Sequence, residues 1–328
     1  MKIGIVGATG AVGQQMLMCL VERNLKIEEL RLFASERSAG KEVDFKGNKI
    51  IVENLETKRF AGLDYVLGAL EADISKEIAQ EIVDAGCIYV DNSSAFRSDM
   101  NVPLVVPEVN REDIFKHKGI IANPNCSTII TLMVASVLNR LSKIDKMMVS
   151  TYQAVSGAGV MGMQELNQQI QSIGHGQACK VNTFQKQIAF NCIPQIGDIN
   201  DLGYTSEEMK MQNEGRKILH NDDLLVNCTC VRVPVMRSHS ISCTCFTQDK
   251  VELEKFKQAL AKAKGIQIVE LPTPLDASNQ DEILVGRIRN DILFENGITF
   301  WCVGDQIRKG AATNAVQIIE ELEKGLRN

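Results

Sequence analysis

The first 122 residues alternate between short apolar segments and amphipathic stretches, and this alternation constrains the fold more than any other feature. The apolar segments have the length of strands, and the amphipathic stretches have helical spacing. Such a pattern predicts an α/β domain with a doubly wound parallel sheet. The strand segments are Lys2–Val6, Glu29–Phe33, Asp64–Ala69, Cys87–Asp91 and Gly119–Ala122, and the helical segments are Gln14–Glu22 and Ile74–Asp84.

Beyond residue 123 the pattern changes to longer β-like segments separated by polar helical stretches, which predicts an α+β domain with a mixed or antiparallel sheet. The chain has 328 residues, and a single core rarely grows past roughly 250 to 300 residues, so two domains are expected. The β-like segments are Met147–Ala154, Ala189–Ile193, Leu225–Val233, Ser240–Thr247 and Ile298–Asp305, and the helical stretches are Glu165–Ile173, Ser206–Leu219 and Val251–Ala263.

The end of the chain bears on the domain boundaries. Apolar residues from Ala311 to Leu322 have helical spacing, and we expect this helix to pack back on the first domain. The predicted domains are therefore residues 1–123 with the C-terminal helix 311–328, and residues 124–310.

Charge and hydropathy narrow the classes of partner. The net charge is −5 and no basic stripe is present, which argues against a nucleic-acid or membrane-surface binder and favours small soluble ligands. The longest apolar run, Ile129–Leu138, is too short to span a bilayer. Because a strand-like segment follows Met1 directly, we expect no secretory leader and a cytoplasmic protein.

Ten cysteines in such a chain indicate reduced thiols rather than a disulfide framework. Cys228 with Cys230 and Cys243 with Cys245 could in principle supply four thiolates to zinc. Each pair, however, has the i, i+2 spacing that places two side chains on one face of a strand. We therefore predict buried strand cysteines and no metal site.

A glycine-rich turn, Gly7–Gly13, follows the first strand and opens the first helix. In this context glycines let a pyrophosphate approach the backbone N–H groups of a helix N-terminus, as in a Rossmann-type dinucleotide site. The spacing is GxxGxxG rather than GxGxxG, and such a turn can also be purely structural. The alternating elements behind it favour dinucleotide binding.

The loop after the second strand bears on which dinucleotide is bound. An acidic residue at this place favours NAD, whereas arginine and serine hydroxyls suit the 2′-phosphate of NADP. The loop contains Ser35, Glu36, Arg37 and Ser38. We predict NADP from the arginine and the two serines, although the glutamate leaves a solvated charged loop as the alternative.

Cys126 is the candidate nucleophile. It lies in the run from Asn123 to Thr128, at the start of an apolar helical pattern. A helix N-terminus offers unpaired N–H groups and the positive end of the dipole, and both favour a thiolate. The alternative is an inert cysteine that packs near the helix start.

His239 follows two arginines, Arg232 and Arg237, and arginine suits a bidentate grip on carboxylate or phosphate. On one unbroken strand Arg232 and His239 would face opposite sides, but Pro234 argues against an unbroken strand. The residues alone leave His239 equally consistent with a general base and with an ordinary hydrogen-bonded histidine.

Two further positions are candidates for holding a ligand. Arg97 follows the strand that ends at Asp91, at the sheet edge where doubly wound folds bind ligands, and it could hold an anion. Gln153 ends a strand that enters a glycine turn, where an amide could orient a substrate. For Gln153 the residues alone favour a turn with an exposed glutamine.

Taken together, these segments resemble the aspartate-β-semialdehyde dehydrogenase family over essentially the whole chain. The resemblance implies reduction of L-4-aspartyl phosphate by NADPH to L-aspartate 4-semialdehyde and phosphate, in a homodimer or homotetramer, on the route to lysine, threonine, methionine and isoleucine. It rests on the runs named above and on Val105–Asn110, Tyr152–Gly159, Glu207–Lys210, Val231–Val233 and Gly310–Ala315.

The same resemblance implies residue roles. Cys126 would form a thioester, Gln153 would orient the substrate and His239 would act as acid and base. Substrate contacts are implied for Arg232 (carboxylate), Glu207 (ammonium), and Arg97, Asn125 and Lys210 (phosphate). Cofactor contacts are implied for Thr9, Gly10, Ala11, Val12, Arg37, Ser38, Ser156, Gly157 and Asn314. Glu214 and Lys217 repeat the spacing of Glu207 and Lys210, so which pair reaches the substrate stays open.

Three rival functions remain at this point. The first is an N-acetyl-glutamyl-phosphate reductase, which is similar in architecture and uses the same thioester logic on a longer, acylated substrate. The second is a non-catalytic NADP-binding regulator, against which the joint presence of Cys126, Gln153 and His239 argues. The third is a cysteine hydrolase, which leaves the Gly7–Gly13 turn without a purpose.

Overall fold

A computed structural model describes residues 1–55 and 60–325, and the chain divides into two compact units. The first unit comprises Met1–Asn125 together with the chain from Ala311 onward, and the second is Cys126–Gly310. The boundary falls two residues after the expected one. Residues 326–328 of the predicted C-terminal helix lie outside the described residues.

The first unit contains a seven-stranded sheet within the described ranges. Its strands are β1 (Lys2–Val6), β2 (Glu29–Ala34), β3 (Glu42–Phe45), β4 (Asn48–Asn54), β5 (Tyr65–Gly68), β6 (Ile88–Asp91) and β7 (Ile120–Ala122). Their order is β3-β4-β2-β1-β5-β6-β7, and all neighbours are parallel except the β3–β4 hairpin. The predicted doubly wound parallel sheet is confirmed.

Strands β5 and β6 are buried almost throughout, as expected where helices cover both faces of a parallel sheet. The helices of this unit are α1 (Ala11–Glu22), α2 (Ala72–Asp84), α3 (Pro107–Asn110) and, after the chain returns, α9 (Thr313–Gly325). Helix α9 packs against α1, where Arg23 and Glu320 form an ion pair of 2.6 Å.

The second unit contains a mixed sheet of six strands. They are β8 (Ile144–Gln153), β9 (Leu225–Arg232), β10 (His239–Thr247), β11 (Ile266–Ile268), β12 (Ile283–Asn290) and β13 (Gly297–Gly304). Their order is β11-β12-β13-β10-β8-β9; β8–β9 and β11–β12 are parallel and the other pairs antiparallel. The predicted mixed sheet is confirmed, and β8 and β10 alternate between buried and more exposed residues because one face is covered.

Helix α4 (Cys126–Asn139) forms the core of the second unit together with this sheet. It packs against β8, β10 and β13, and every residue from Ser127 to Leu138 is buried. Burying one isoleucine, leucine, methionine or valine side chain contributes roughly 1.5 to 3 kcal/mol to the free energy of unfolding. The many buried side chains of α4 therefore fix the position of the helix start that carries Cys126. The remaining helices are α5 (Gly159–Gly174), α6 (Ser206–Leu219), α7 (Leu253–Ala261) and α8 (Pro274–Ala277).

One predicted strand is wrong. Ala189–Ile193 is irregular, with Phe190 at φ 58° and only Ile193 bridged to Arg232. The backbone N–H groups of Ile188 and Ala189 donate to the side-chain oxygen of Gln169 instead of to a neighbouring strand. The sequence reasoning missed the β3–β4 hairpin, although Glu42–Phe45 alternates polar and apolar residues and the two-residue turn at Lys46 and Gly47 is a hairpin signal. No helix in the described ranges is long and apolar enough to cross a membrane.

Candidate active site

Three polar residues from three strands meet at one end of the second unit's sheet. Gln153 ends β8, Arg232 ends β9 and His239 begins β10. Gln153 pairs in register with Arg232, and Ser240 pairs with Tyr152 on the other side of β8. The three side chains therefore share one face of the sheet, and they are 2%, 6% and 0% exposed respectively. Strand β8, lying between the other two, brings Arg232 and His239 to the same place.

Gln153 is buried, so the interpretation of an exposed turn glutamine is wrong. Its Oε1 accepts from the Thr151 hydroxyl at 3.0 Å, and its Nε2 donates to Glu207 Oε1 at 3.2 Å. The amide is thereby held in one orientation. No periodicity could distinguish this outcome, because a strand end can point its last side chain either into or out of a site.

Glu207 reaches the site because a capping box starts α6 just before it. Thr205 accepts from the Glu208 N–H, and Glu208 accepts from the Thr205 N–H at 2.7 Å. Glu207 Oε2 also accepts from Lys210 Nζ at 2.8 Å. Glu214, the alternative that the sequence left open, lies two helical turns further along α6, about 10 Å away by helix rise. The residue that contacts Gln153 is Glu207.

His239 is a neutral donor in this geometry. Its Nδ1 accepts from the Ala154 N–H at 3.1 Å, so the ring proton is on Nε2. The 3.4 Å contact between His239 Nε2 and Gln153 Nε2 then joins two N–H groups and is not a hydrogen bond. Complete burial, reinforced by the Arg232 charge, lowers the pKa of His239 to about 3. The neutral imidazole can therefore donate a hydrogen bond from Nε2 to the oxygen of a bound substrate.

This lowered pKa predicts a pH-dependent stability. The pKa of His239 falls from 6.5 in the unfolded chain to about 3 in the folded one. Between these values the unfolded state binds the extra proton, so stability falls as the pH is lowered. At about pH 5 the loss is about 2 kcal/mol relative to pH 7.5. We expect urea titrations of the His239→Asn variant to lack this part of the loss.

The comparison isolates His239 because every other titrating group is common to both proteins. One of them is His117, whose pKa burial also lowers. Equal losses in the wild type and the variant would mean that His239 titrates normally in the folded protein.

Arg232 is held on three sides. Its Nη1 donates to Ala154 O at 2.7 Å, its guanidinium lies 6.0 Å from the Phe184 ring centre, and its backbone exchanges two hydrogen bonds with Ile193. Burial lowers the pKa of Arg232, while the charges of Glu207 and Cys126 act in the opposite direction. A fixed guanidinium of this kind suits the binding of a carboxylate.

The segment around Phe184 is held by two residues of α5 that the sequence did not single out. Glu165, 3% exposed, accepts from the backbone N–H groups of Asn182 and Thr183. Gln169, four residues later on the same helix face, accepts from Ile188 and Ala189 as described above. A glutamate four residues before a glutamine is too common a pattern to reveal this role.

Cys126 is the first residue of α4 and is partly exposed. A Cβ placed on Gly310 would lie 2.9 Å from the Cys126 Cβ, so the chain of the second unit passes directly beside the thiol. None of the ten cysteines, all of which lie in the described ranges, forms a disulfide. Complete burial raises the pKa of Cys302, which keeps that thiol protonated and inert, whereas Cys126 stands at a helix N-terminus.

Gly157 lies against the same cluster. A Cβ at this position would lie 2.7 Å from Arg232 Nη1 and 3.2 Å from His239 Cε1. Any side chain here would therefore displace one of the two residues. Neighbouring Ser156 is buried and accepts a short hydrogen bond from Gln306 Nε2.

The cysteine pairs of the β-strands are two buried pairs of thiols. Cys228 and Cys230 on β9 have sulfurs 3.7 Å apart, and Cys243 and Cys245 on β10 have sulfurs 3.6 Å apart. All four are buried, which confirms the prediction of buried strand cysteines. Among residues 1–55 and 60–325 no group of three or more metal-ligating side chains could hold a metal ion.

In the first unit, the glycine turn joins β1 to α1 in a form that fits a dinucleotide. Gly7 adopts φ 81° and donates to Phe33 O, and a Cβ on Gly13 would lie 2.3 Å from Gly7 O. Gly10 is the exposed N-cap, with Thr9, Ala11 and Val12 beside it. A helix start of this kind leaves its first N–H groups to a pyrophosphate.

The loop after β2 lies next to this turn, because Gly7 and Ala8 both donate to Phe33 near the strand's end. Ser35 is the N-cap of a short 3-10 turn, and Ser35 and Arg37 are exposed. Ser38 is buried and lies 3.4 Å from Lys41 Nζ. An exposed guanidinium at this position can reach a phosphate on the adenosine ribose.

Arg97 and Asn314 have structural partners within the first unit. Arg97 donates to Asn92 O at 2.8 Å and to Asn123 O at 2.9 Å. Asn314 donates to Val105 O at 2.9 Å and to Asn123 Oδ1 at 2.7 Å. Asn125, 7% exposed, directly precedes Cys126. These contacts order the backbone that leads to the candidate nucleophile.

Comparison with known proteins gives a consistent result over the whole chain. Residues 2–117 match the family model described as semialdehyde dehydrogenase, NAD binding domain, and residues 135–309 match semialdehyde dehydrogenase, dimerisation domain. The aspartate-semialdehyde dehydrogenase of Synechocystis sp. is 46% identical over 331 residues, which cover 99% of this chain and 98% of that protein.

Two solved structures are also similar. Aspartate semialdehyde dehydrogenase II of Vibrio cholerae, complexed with ASA, has a TM-score of 0.97 and 44% identity, covering 98% of each chain. The enzyme of Candida albicans with NADP has a TM-score of 0.76 and 26% identity, again covering 98% of each chain.

Proposed function

Because this chain belongs to the aspartate-semialdehyde dehydrogenase family, we propose that it reduces L-4-aspartyl phosphate with NADPH to L-aspartate 4-semialdehyde and phosphate, reversibly, through a thioester on Cys126. The observation that carries the proposal is the meeting of Gln153, Arg232 and His239 on one sheet face of the unit that begins at Cys126. In this role the enzyme serves the biosynthesis of lysine, threonine, methionine and isoleucine.

Cys126 carries the covalent step. Its thiolate attacks the acyl carbon, the carbon–sulfur bond forms, and the bond to the phosphate oxygen breaks. NADPH, when bound, supplies the hydride that reduces the acyl group. His239 donates a hydrogen bond from Nε2 to the oxygen that gains negative charge when the hydride adds. As the carbonyl re-forms, the carbon–sulfur bond breaks, the thiolate leaves and the aldehyde is released. Gln153, which Thr151 and Glu207 hold in place, orients the acyl group.

Charge complementarity supports the substrate contacts. Arg232, buried and fixed by Ala154 and Phe184, binds the substrate carboxylate. Glu207 binds the ammonium group of the substrate, and its hydrogen bond with Lys210 weakens when the substrate is bound. Arg97, Asn125 and Lys210 hold the phosphate while charge develops on the leaving group. Because Glu207 suits a free ammonium, the acylated substrate of N-acetyl-glutamyl-phosphate reductases fits less well.

We assign the cofactor to the first unit and the chemistry and self-association to the second. As NADP contacts we propose Thr9, Gly10, Ala11, Val12, Ser35, Arg37, Ser38, Ser156, Gly157 and Asn314. The match of residues 135–309 to a dimerisation domain supports a homo-oligomer, for which we propose a homodimer or homotetramer. We place the enzyme in the cytoplasm.

A spectrophotometric assay at about 340 nm, where NADPH absorbs, tests the function directly. Aspartate semialdehyde, phosphate and NADP are supplied together and then omitted one at a time. We expect NADPH to form only when all three are present. Formation with N-acetyl-glutamate semialdehyde at equal or higher kcat/KM would assign the rival reaction instead. The absence of NADP binding would favour a hydrolase.

The exposed guanidinium of Arg37 predicts the cofactor preference. Arg37→Ala should lower kcat/KM for NADP by about 10- to 100-fold, since a charged hydrogen bond is worth about 1.5 to 3 kcal/mol. The value for NAD, which lacks the 2′-phosphate, should stay within about twofold in the same assay. A wild type with equal kcat/KM for both cofactors would show that this loop does not discriminate.

Gly157 predicts a loss of activity from a single methyl group. In Gly157→Ala the new Cβ lies 2.7 Å from Arg232 Nη1, and the guanidinium or the His239 ring must move. We expect kcat/KM to fall about 100-fold, the usual effect of a misplacement near 1 Å. The matched control is Gly174→Ala at the end of α5, where a Cβ meets nothing within 4 Å. Equal activities of the two variants would contradict the prediction.

A further inference from the structure

The turn that follows β13 is buried and contacts Ser238, Cys126 and Ser156 of the second unit. It runs from Asp305 to Gly310, and Asp305 is completely buried. The mechanism above gives Asp305 no task. A buried carboxylate is costly unless it is paired and hydrogen-bonded, so its partners indicate what it does.

Both carboxylate oxygens of Asp305 are occupied. Oδ2 accepts from Arg237 Nε and from the Asn279 N–H, each at 2.7 Å. Oδ1 accepts from the N–H groups of Ile307 at 2.9 Å and Arg308 at 3.1 Å. The first pair ties the turn to other segments of the unit, and the second pair shapes the turn itself.

One connection leads to His239. Arg237, bound by Asp305, lies two residues before it, and Ser238 directly precedes it. The Ser238 N–H donates to Gln306 Oε1 at 2.8 Å, next in sequence to Asp305. Ser238 has a φ of 73°, which is unfavourable for a residue with a side chain and persists only when its surroundings hold it. The hydrogen bonds from Arg237 to Asp305 and from Ser238 to Gln306 stabilise this conformation.

A second connection leads to Cys126. The Gly310 N–H donates to Asp305 O at 3.0 Å and closes the turn. Gly310 in turn lies beside the Cys126 Cβ, close enough to exclude any side chain. A third connection leads to Ser156, whose hydroxyl accepts from Gln306 Nε2. One buried turn thus supports Cys126, the segment that carries His239 and an expected NADP contact.

We propose that Asp305 is a positioning residue of the active site: its carboxylate holds the 305–310 turn in the shape that sets His239, Cys126 and Ser156 relative to one another. The inference rests on the proposed function for its kinetic readout only. Asp305 touches no reacting atom, and its effect passes through Arg237, Gln306 and Gly310.

Asp305→Asn tests the proposal, because an amide keeps the shape but places N–H hydrogens where an oxygen accepted them. We expect kcat to fall about 10- to 100-fold, while KM for aspartate semialdehyde stays within about twofold, since Arg232 and Glu207 do not depend on this turn. The matched control is Asp281→Asn. Asp281 pairs with Arg308 Nε of the same turn at 2.8 Å but is partly exposed. We expect unchanged kcat for this control.

Alkylation by iodoacetamide gives a readout that does not require activity. Peptide mass spectrometry measures the labelling rate of Cys126 relative to that of exposed Cys192 in the same sample. We expect this ratio to change at least about threefold in Asp305→Asn and to stay constant in Asp281→Asn. If the wild type has no activity with aspartate semialdehyde, the proposed function is wrong. The Cys126 to Cys192 labelling ratio then still tests whether Asp305 positions Cys126.

Two results would overturn the inference. One is a folded Asp305→Asn protein with wild-type kcat and an unchanged Cys126 to Cys192 ratio. The other concerns Gln306→Leu, which is measured instead if Asp305→Asn does not fold. That variant removes the support of Ser238 and Ser156, and it should lower kcat and raise KM for NADP, each about tenfold. Wild-type values for Gln306→Leu would then contradict the proposal.

Discussion

Replacing Cys126 with serine should lower kcat by a factor on the order of 10⁴ or more, the scale seen when a catalytic nucleophile is removed. A serine hydroxyl has nearly the same size but is far less ionised than a thiol, so a helix N-terminus cannot make it an equal nucleophile. The measurement is the assay with aspartate semialdehyde, phosphate and NADP at saturation. NADP binding, followed by fluorescence titration, should be retained.

The control for this prediction is Cys192→Ser, which changes an exposed cysteine of the same unit and should leave kcat within about twofold, as for most surface substitutions. The acyl-enzyme gives a second readout. After the protein is mixed with L-4-aspartyl phosphate, intact-protein mass spectrometry should detect an adduct on the wild type alone. Residual turnover of a tenth or more in Cys126→Ser, or an adduct on another side chain, would refute the assignment.

The second large effect is expected for His239→Asn, with a loss of kcat of about 10²- to 10³-fold, the range seen when a hydrogen-bond donor to a developing oxyanion is removed. The asparagine oxygen can still accept from the Ala154 N–H, which Nδ1 does in the native protein. What disappears is the Nε2 proton donor. KM for aspartate semialdehyde should change little, because Arg232 and Glu207 remain in place.

The pH dependence sharpens this test. Since the pKa of His239 is lowered to about 3, the wild type should show no titration of this ring near pH 6.5 in the profile of kcat/KM for the free enzyme. His117→Asn, a change in the first unit, should leave kcat unaltered. An activity of His239→Asn close to that of the wild type would mean that another group or water donates the hydrogen bond to the reacting oxygen.

Most of the fold was predictable because its signals are local. The alternation from Lys2 to Ala122 and the apolar pattern after Cys126 both correspond to elements in the structure. Predictions were wrong where side chains replaced backbone partners. In Ala189–Ile193 the residue types suit a strand, but Gln169 accepts from Ala189 and from the preceding Ile188. A contact made twenty residues away leaves no trace in the local pattern.

The candidate site was only partly accessible to such reasoning. Cys126 and the Gly7–Gly13 turn stand at helix starts, which are recognisable because capping and glycine requirements are local. The residues around Gln153 favour an exposed turn, and no pattern in the sequence singles out Glu165 or Asp305. Their roles depend on backbone groups from distant segments, and an acidic residue in a sequence does not reveal how many donors will surround it.

By itself the sequence determined the strand and helix periods, the place of the reactive thiol and the chemical types available, because these follow from neighbours along the chain. Only the tertiary structure decided that Arg232, Gln153 and His239 share one face, that His239 carries its proton on Nε2, and that the Asp305 turn supports them. The physical reason is that strand order and burial set these relations: β8 lies between β9 and β10, and the dry environment this creates fixes both the protonation and the hydrogen bonds of the site.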